Sequence, residues 1–333
     1  MGIFNRLKSL LFANTTSKQI IAKNTFWLVI SQGLESAVGF LAIIWLARHF
    51  GPDQYGQWAF ALSFVLFFSA IANFEMNTLA VREISRDRSR AAEYIDNILA
   101  LKIILGIFVF LLIAIFAAFL NPKGHSQIPL IYILSAYMIL GTFASFFHSI
   151  FRAYEEMQYE ALCRIFQGVS LLVMLALVIF SGKPIFNAGY AYLGSAAIGI
   201  AISLFFVWRH FSRFLLKVSY SSCKEILQKS WPMSLSSLSV AAYYYLASIF
   251  LGIIKTNEEV SLYNIAFKTS FLVVPLSTIL FYSFFPQLSK YFNEDKEKMR
   301  RICQKYTNIN MVISLPLLVG GIIISPRIIN FLY

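Results

Sequence analysis

Between Asn24 and Arg48 the chain reads NTFWLVISQGLESAVGFLAIIWLAR, an apolar stretch of helix length broken at its middle by Gln32 and Glu35. About 25 helical residues rise roughly 37 Å, enough to cross a bilayer with some tilt. Ser31, Gln32, Glu35, Ser36 and Gly39 recur at spacings of three and four, so they share one face. A carboxylate facing lipid at mid-membrane costs on the order of a few kcal/mol, so Glu35 is expected to face protein or a wet cavity. A tight turn, Arg48-His49-Phe50-Gly51-Pro52-Asp53-Gln54-Tyr55-Gly56, then hands the chain to a second apolar segment.

Eight further segments of similar kind follow. The second span is Gln57–Leu79, the third Ile98–Leu120, the fourth Ile128–Phe151, the fifth Ala161–Ser181 and the sixth Asn187–Trp208. The seventh is Ser230–Ile254, the eighth Ser261–Leu288 and the ninth Tyr306–Ser325. Barrel strands would be about half as long and would alternate in polarity. With 58% hydrophobic and 13% charged residues, the chain lacks the polar surface a water-soluble protein of this length needs. The reading is an all-α integral membrane protein.

The net charge of +12 does not point to nucleic acid, because the basic residues lie between the apolar segments. Twenty-two Lys and Arg are counted on the side of the N-terminus, including five at 82–102 and two at 152–164, and five on the opposite side; the remaining one, Lys268, lies inside the eighth span. The positive-inside rule then places the N-terminus in the cytoplasm of a multi-pass cell (inner) membrane protein. Residues 1–23 read as a cytoplasmic amphipathic leader rather than a cleaved signal. The stretches Arg82–Asp96 and Lys290–Lys305 read as interfacial helices on the anionic inner leaflet. Cys163, Cys223 and Cys303 show no pairing or metal-binding spacing, and the four histidines show no ligand pattern.

An offset of about 205 residues superposes Tyr55-Gly56-Gln57-Trp58 on Val260-Ser261-Leu262-Tyr263, and span three on span nine. An even number of spans per repeat gives two halves of the same orientation, related by an axis along the membrane normal. The expected organisation is a leader at 1–23, an N-lobe of six helices at 24–210, a basic linker at 211–229 and a partial C-lobe at 230–333. About nine helices would be present of twelve to fourteen, in two parallel six-helix repeats with the second incomplete. Transporters built this way hold their cargo between the halves near the midplane.

An ordered series of short motifs gives a resemblance across essentially the whole chain. Lys23-Asn24-Thr25-Phe26-Trp27, Leu46-Ala47-Arg48-His49-Phe50-Gly51-Pro52, Tyr55-Gly56 and Val81-Arg82-Glu83 stand in the first half. Trp231-Pro232, Leu251-Gly252, Val260-Ser261-Leu262-Tyr263-Asn264-Ile265-Ala266 and Phe285-Pro286-Gln287-Leu288-Ser289 stand in the second. The series resembles the polysaccharide-exporter, Wzx-like flippases of the multidrug/oligosaccharidyl-lipid/polysaccharide (MOP) exporter superfamily. That resemblance implies a transporter, not an enzyme, that flips lipid-linked oligosaccharide from the inner to the outer leaflet by alternating access of two lobes. It implies a polyprenyl-diphosphate-linked oligosaccharide as cargo, other polysaccharide-assembly membrane proteins as partners, coupling to H+ or Na+, and no cofactor. The chain departs from the family pattern at Tyr245-Leu246-Ala247, where relatives often carry Arg or Asp, which bears on any charge-pair mechanism.

A cavity for an anionic sugar lipid asks for cations and hydrogen-bond donors on facing helices. Lys268, with Asn264 one turn away, is the cation candidate, set against snorkelling to the headgroups. Glu35, supported by Gln32, is the acidic candidate, as a proton or cation site or as a structural partner of a neighbouring helix. Arg48, Arg82 and Glu75 sit near membrane boundaries, suited to gating and headgroup contact or simply to anchoring helix ends. Tyr243, Tyr244 and Tyr245 read either as sugar-stacking rings or as packing residues. The other readings are a multidrug or toxin antiporter of the same fold, or a membrane-embedded glycan enzyme. The short outer connections hold only Asp53, Glu258 and Glu259 as acids, which leaves little for catalysis.

Overall fold

A computed structural model describes residues 17–120, 127–211, 217–270, 284, 291 and 295–332. Among these the secondary structure is helical: α1 (Ser17–Asn73), α2 (Met76–Arg86), a short 3-10 turn (Arg88–Arg90), α3 (Ala91–Leu120), α4 (Ile128–Ala153), α5 (Met157–Phe180), α6 (Phe186–His210), α7 (Tyr220–Ile254), α8 (Asn257–Ser270) and α9 (Lys296–Leu332). Two compact units divide the chain, Met1–Val260 and Ser261–Tyr333. The leader before Ser17, the end of the third span at Asn121-Pro122, part of the basic linker and the eighth span beyond Ser270 lie outside the described residues. So does the Phe285–Ser289 motif.

The first two expected spans form one helix with a single non-helical residue. Gly51 has φ 74 and ψ 174, and Pro52 opens the second limb. The Arg48–Gly56 turn expected from sequence is therefore a kink, placed where glycine tolerates positive φ and proline cannot continue the ladder. The second expected span, Gln57–Leu79, is in turn interrupted. Helix α1 stops at Asn73, Phe74 and Glu75 take φ of 45 and 50, and α2 restarts at Met76. Eight of the nine expected spans thus have a described helix.

Inside the first unit, packing follows small residues and split faces. Helix α3 exposes Ile103, Ile104, Ile107, Phe108, Leu111 and Ile115 along one stripe and buries Ile98, Leu101, Val109, Ile113 and Ala117 on the other. The outer stripe is the lipid-facing side of an apolar helix. Helix α6 buries Ala188, Gly189, Ser195, Ala196, Gly199 and Ser203. A Cβ on Gly189 would meet Ile133 of α4 at 3.1 Å, and one on Gly199 would meet Gln167 of α5 at 2.7 Å. Small side chains on this face let three helices approach closely where lipid offers no hydrophobic drive for association. Met76, Ile84, Ile95, Phe146, Phe151, Cys163, Val207 and Ile226 form a buried apolar cluster joining α2–α7 at the Lys/Arg-rich side.

The α4–α5 and α5–α6 connections use the same device. In the second, Gly182 has φ 61 and the N–H of Lys183 reaches back to Val178 O. In the first, Glu155 has φ 61 and the N–H of Glu156 donates to Phe151 O at 2.9 Å. Both are left-handed helix C-caps, and only one has the residue that carries no Cβ penalty. Glu155→Gly is expected to stabilise the protein by about 1 kcal/mol, seen as a rise of roughly 2 °C in the thermal midpoint. An unchanged or lower midpoint would show that Glu155 contributes contacts worth more than the strain.

Candidate functional site

Helix α1 presents Gln32, Glu35 and Ser36 outward near its middle. Lys23, at the start of the same limb, is buried with Nζ 3.9 Å from Glu156 at the α4–α5 turn. Twelve residues of helix separate Lys23 from Glu35, about 18 Å of rise, so Glu35 lies deep in a hydrocarbon core roughly 30 Å thick. Its carboxylate pairs with the Arg164 guanidinium of α5. Arg164 Nε also donates to Glu160 Oε1 at 3.0 Å, and Arg152 Nε donates to Glu160 Oε2 at 2.7 Å. Glu160 is completely buried, whereas the Glu35 side chain is 60% exposed.

The result is a ladder of alternating charges, Glu35, Arg164, Glu160 and Arg152, running from the exposed middle of α1 to the buried end of α4. Its physics is that of a supported guanidinium. Glu160 is desolvated and tolerable only because two arginines share it. Arg164 is thereby held between Glu160 on its own helix and Glu35 on α1. Behind the ladder His148 is buried on α4, its Nε2 3.3 Å from Ser203 Oγ of α6. Sequence reasoning found Glu35 but assigned Arg164 to a loop. The Glu160–Arg164 spacing of four at the head of an apolar span was the available signal.

A second polar group gathers where α1 breaks. Lys102 of α3 is 1% exposed, and its Nζ donates to Asn73 Oδ1 at 3.1 Å, with the Phe146 ring 5.9 Å away. A lysine at the C-terminal end of a helix limb meets the negative end of its dipole. Glu75 accepts from Thr78 Oγ1 at 2.7 Å and from Ser237 Oγ of α7, and Asn77 Nδ2 donates to Ser145 Oγ at 3.0 Å. Lys102, read from sequence only as one of the five basic residues at 82–102 on the side of the N-terminus, is thus built into the interior.

The remaining expected site residues are scattered. Arg48 lies beside Trp45 and His49 in a largely apolar groove with Ala176, Ile179 and Phe180. Arg82 is exposed on α2 and pairs with Glu83 at 2.9 Å. Asn264 is buried and Lys268 half-buried on α8, in the second unit. Tyr245 is half-buried and Tyr243 exposed. Among the described residues no group of three His, Cys, Asp or Glu could hold a metal ion.

Comparison with known proteins places this geometry. The model of a family described as "Polysaccharide biosynthesis protein" matches residues 21–292. A probable flippase, AglR of Haloferax volcanii, is 32% identical over 174 residues, covering 51% of this chain and 34% of that one. The probable low-salt glycan biosynthesis flippase Agl15 of the same organism is 20% identical over 314 residues, 94% of this chain and 65% of that one. The chain therefore spans about a third and just under two thirds of the lengths of these relatives. Among solved structures, an inward-facing multidrug resistance MATE family transporter of the MOP superfamily superposes with TM-score 0.69 at 17% identity, over 91% of this chain and 75% of that one. A MOP superfamily transporter from Pyrococcus furiosus superposes with TM-score 0.61 at 18% identity, over 97% of this chain and 75% of that one. At such identities the likeness establishes the fold alone, a multi-helix membrane-protein fold.

Proposed function

Because the chain belongs to the polysaccharide biosynthesis protein family, we propose that it moves a lipid-linked oligosaccharide between leaflets of the cell membrane. The observation that carries this reading is the Arg164 guanidinium, fixed by buried Glu160 and paired with Glu35 on the exposed middle of α1. A planar guanidinium suits a phosphate or diphosphate by forked hydrogen bonds. Glu35 neutralises it when no anion is present. A proton or Na+ on Glu35 would release Arg164 for the diphosphate, which gives a direct route for coupling cargo to an ion gradient. Gln32 would add an amide beside Glu35, and the polyprenyl chain would stay in lipid. Arg48, Arg82 and Glu75 would serve at the membrane boundaries. In this reading the N-terminus is cytoplasmic.

The test is transport of polyprenyl-diphosphate oligosaccharide by the intact protein in proteoliposomes, read as lectin accessibility of the glycan. Expected are time-dependent exposure of the sugar with the wild type, and loss of surface glycan in a deletion strain. Normal surface glycan in that strain together with a changed drug susceptibility would instead assign the protein to small-molecule antiport.

A further inference from the structure

A polar cavity of about 430 Å³ lies between the end of α2, the 3-10 turn, the first turn of α3 and the start of α7. Its lining is Glu83, Arg86, Asp87, Arg90, Tyr94 and Lys229. Tyr94 is 3% exposed, and its hydroxyl is buried without a hydrogen-bond partner. A buried O–H left unpaired costs about 1–3 kcal/mol, so its presence at a cavity wall needs an explanation.

The charges around it are unevenly engaged. Glu83 is held by Arg82, and Asp87 accepts from Ser89 Oγ at 2.6 Å and Ser89 N at 3.0 Å. Those two bonds hold the Asp87 carboxyl below the usual carboxylate range. Both acids are thus committed to partners of their own. On the basic side, Arg90 binds Glu93 through Nε at 3.1 Å and lies over the Tyr94 ring at 5.1 Å, while Lys229 meets Glu225 at 2.6 Å. Arg86 has no ion pair among the described residues. Among the described residues of this lining, Arg86 and the Tyr94 hydroxyl are therefore the groups left without a partner, beside Arg90 and Lys229, which each hold an acid of their own.

The location narrows the ligand. Helix α2 buries Met76, Leu79, Ala80 and Ile84 and exposes Arg82, Ser85 and Arg86. It lies on the Lys/Arg-rich side, which the charge bias assigns to the cytoplasmic leaflet, where phospholipid phosphates are abundant and anionic. We propose that this cavity binds the phosphate of an anionic phospholipid headgroup, with Arg86, Arg90 and Lys229 supplying charge and the Tyr94 hydroxyl donating to a phosphate oxygen. Bound there, the headgroup bridges α2 and α3 to the start of α7. The inference is independent of which cargo the protein carries.

The experiment uses the full-length protein, delipidated in detergent and titrated with phosphatidylglycerol, with phosphatidylcholine or with inorganic phosphate, and read by native mass spectrometry. Expected are one tightly held phosphatidylglycerol, an affinity five- to tenfold lower in Tyr94→Phe and Arg86→Gln, and weak binding of phosphatidylcholine in all. Tyr94→Phe keeps the ring and removes only the donor. Lys224→Gln, which removes one charge from the exposed side of α7, should stay within twofold of wild type. Equal binding by wild type, Tyr94→Phe and Arg86→Gln would overturn the site. So would a loss in Lys224→Gln as large as in Arg86→Gln, which would mean general electrostatic attraction. Binding of inorganic phosphate that depends on Tyr94, without retention of phosphatidylglycerol, would overturn the lipid assignment in favour of a free anion.

Discussion

Arg164→Ala is expected to reduce lipid-linked glycan transport at least a hundredfold and to destabilise the protein by about 3 kcal/mol. The two losses have different origins. Stability falls because Glu160 is completely buried and loses one of its two cations, and because Glu35 is left as an unpaired carboxylate deep in the membrane. Transport falls because the cation offered to the diphosphate is gone. The double variant Glu35→Gln/Arg164→Gln separates them, since it removes opposite charges together. Its thermal midpoint should recover only the part due to Glu35, since buried Glu160 still lacks one cation, while transport stays lost. Arg164→Lys should be intermediate, because one ammonium cannot span Glu35 and Glu160 in the way a planar fork does. Transport within threefold of wild type in Arg164→Ala would remove the guanidinium from the mechanism and leave it a structural role only.

The second large effect is expected where α1 meets the end of α7 and the first residue of α8, at the end remote from the Lys/Arg-rich side. A Cβ on Gly56 would lie 1.8 Å from the backbone oxygen of Asn257, and one on Gly252 would lie 2.0 Å from Cδ2 of Phe60. Asp53, in the same corner, accepts from Asn257 Nδ2 at 2.9 Å and from Gln57 Nε2 at 2.9 Å. Close approach of two helices at glycine is the ordinary currency of packing inside a membrane. Gly56→Ala and Gly252→Ala should each cost about 2–3 kcal/mol, the range for overpacking a tight interior. They should differ in rescue. The obstacle at Gly252 is a side chain, so Phe60→Ala should recover a good part of the midpoint lost in Gly252→Ala. The obstacle at Gly56 is main chain, and no side-chain truncation should help. If both variants melt at the wild-type temperature, the contacts of α1 with the end of α7 and with Asn257 are looser than their geometry implies.

The two glycines also show how unevenly the site was legible. Gly56 and Gly252 belong to motifs that sequence comparison notices, but their physical reason, one facing a carbonyl and the other a phenyl ring, lies in contacts about 200 residues apart in the chain. Glu35 was legible because a carboxylate inside an apolar helix violates the pattern around it. Arg164 was not, because four residues into a span an arginine is indistinguishable by position from a helix anchor. Lys102 escaped for the same reason, although the structure buries it almost entirely against Asn73 and Phe146. The break at Phe74–Glu75 was not legible either. No glycine or proline marks it, and two ordinary residues take left-handed backbone that only their surroundings can enforce.

What the sequence by itself determined is the solvent and the periodicity: helices long and apolar enough to span, the face of α1 that carries Gln32 and Glu35, and the side on which positive charge collects. Those properties follow from local composition, and a bilayer reads them segment by segment. Only the tertiary structure decided which cation Glu35 meets, that Glu160 is shared by two arginines, and that Tyr94, its hydroxyl buried and unpaired, shares a cavity wall with Arg86 and Lys229. Such choices depend on how helices rotate and approach one another. Small-residue packing and the high cost of an unpaired polar group in hydrocarbon set that, and neither is written in any one segment.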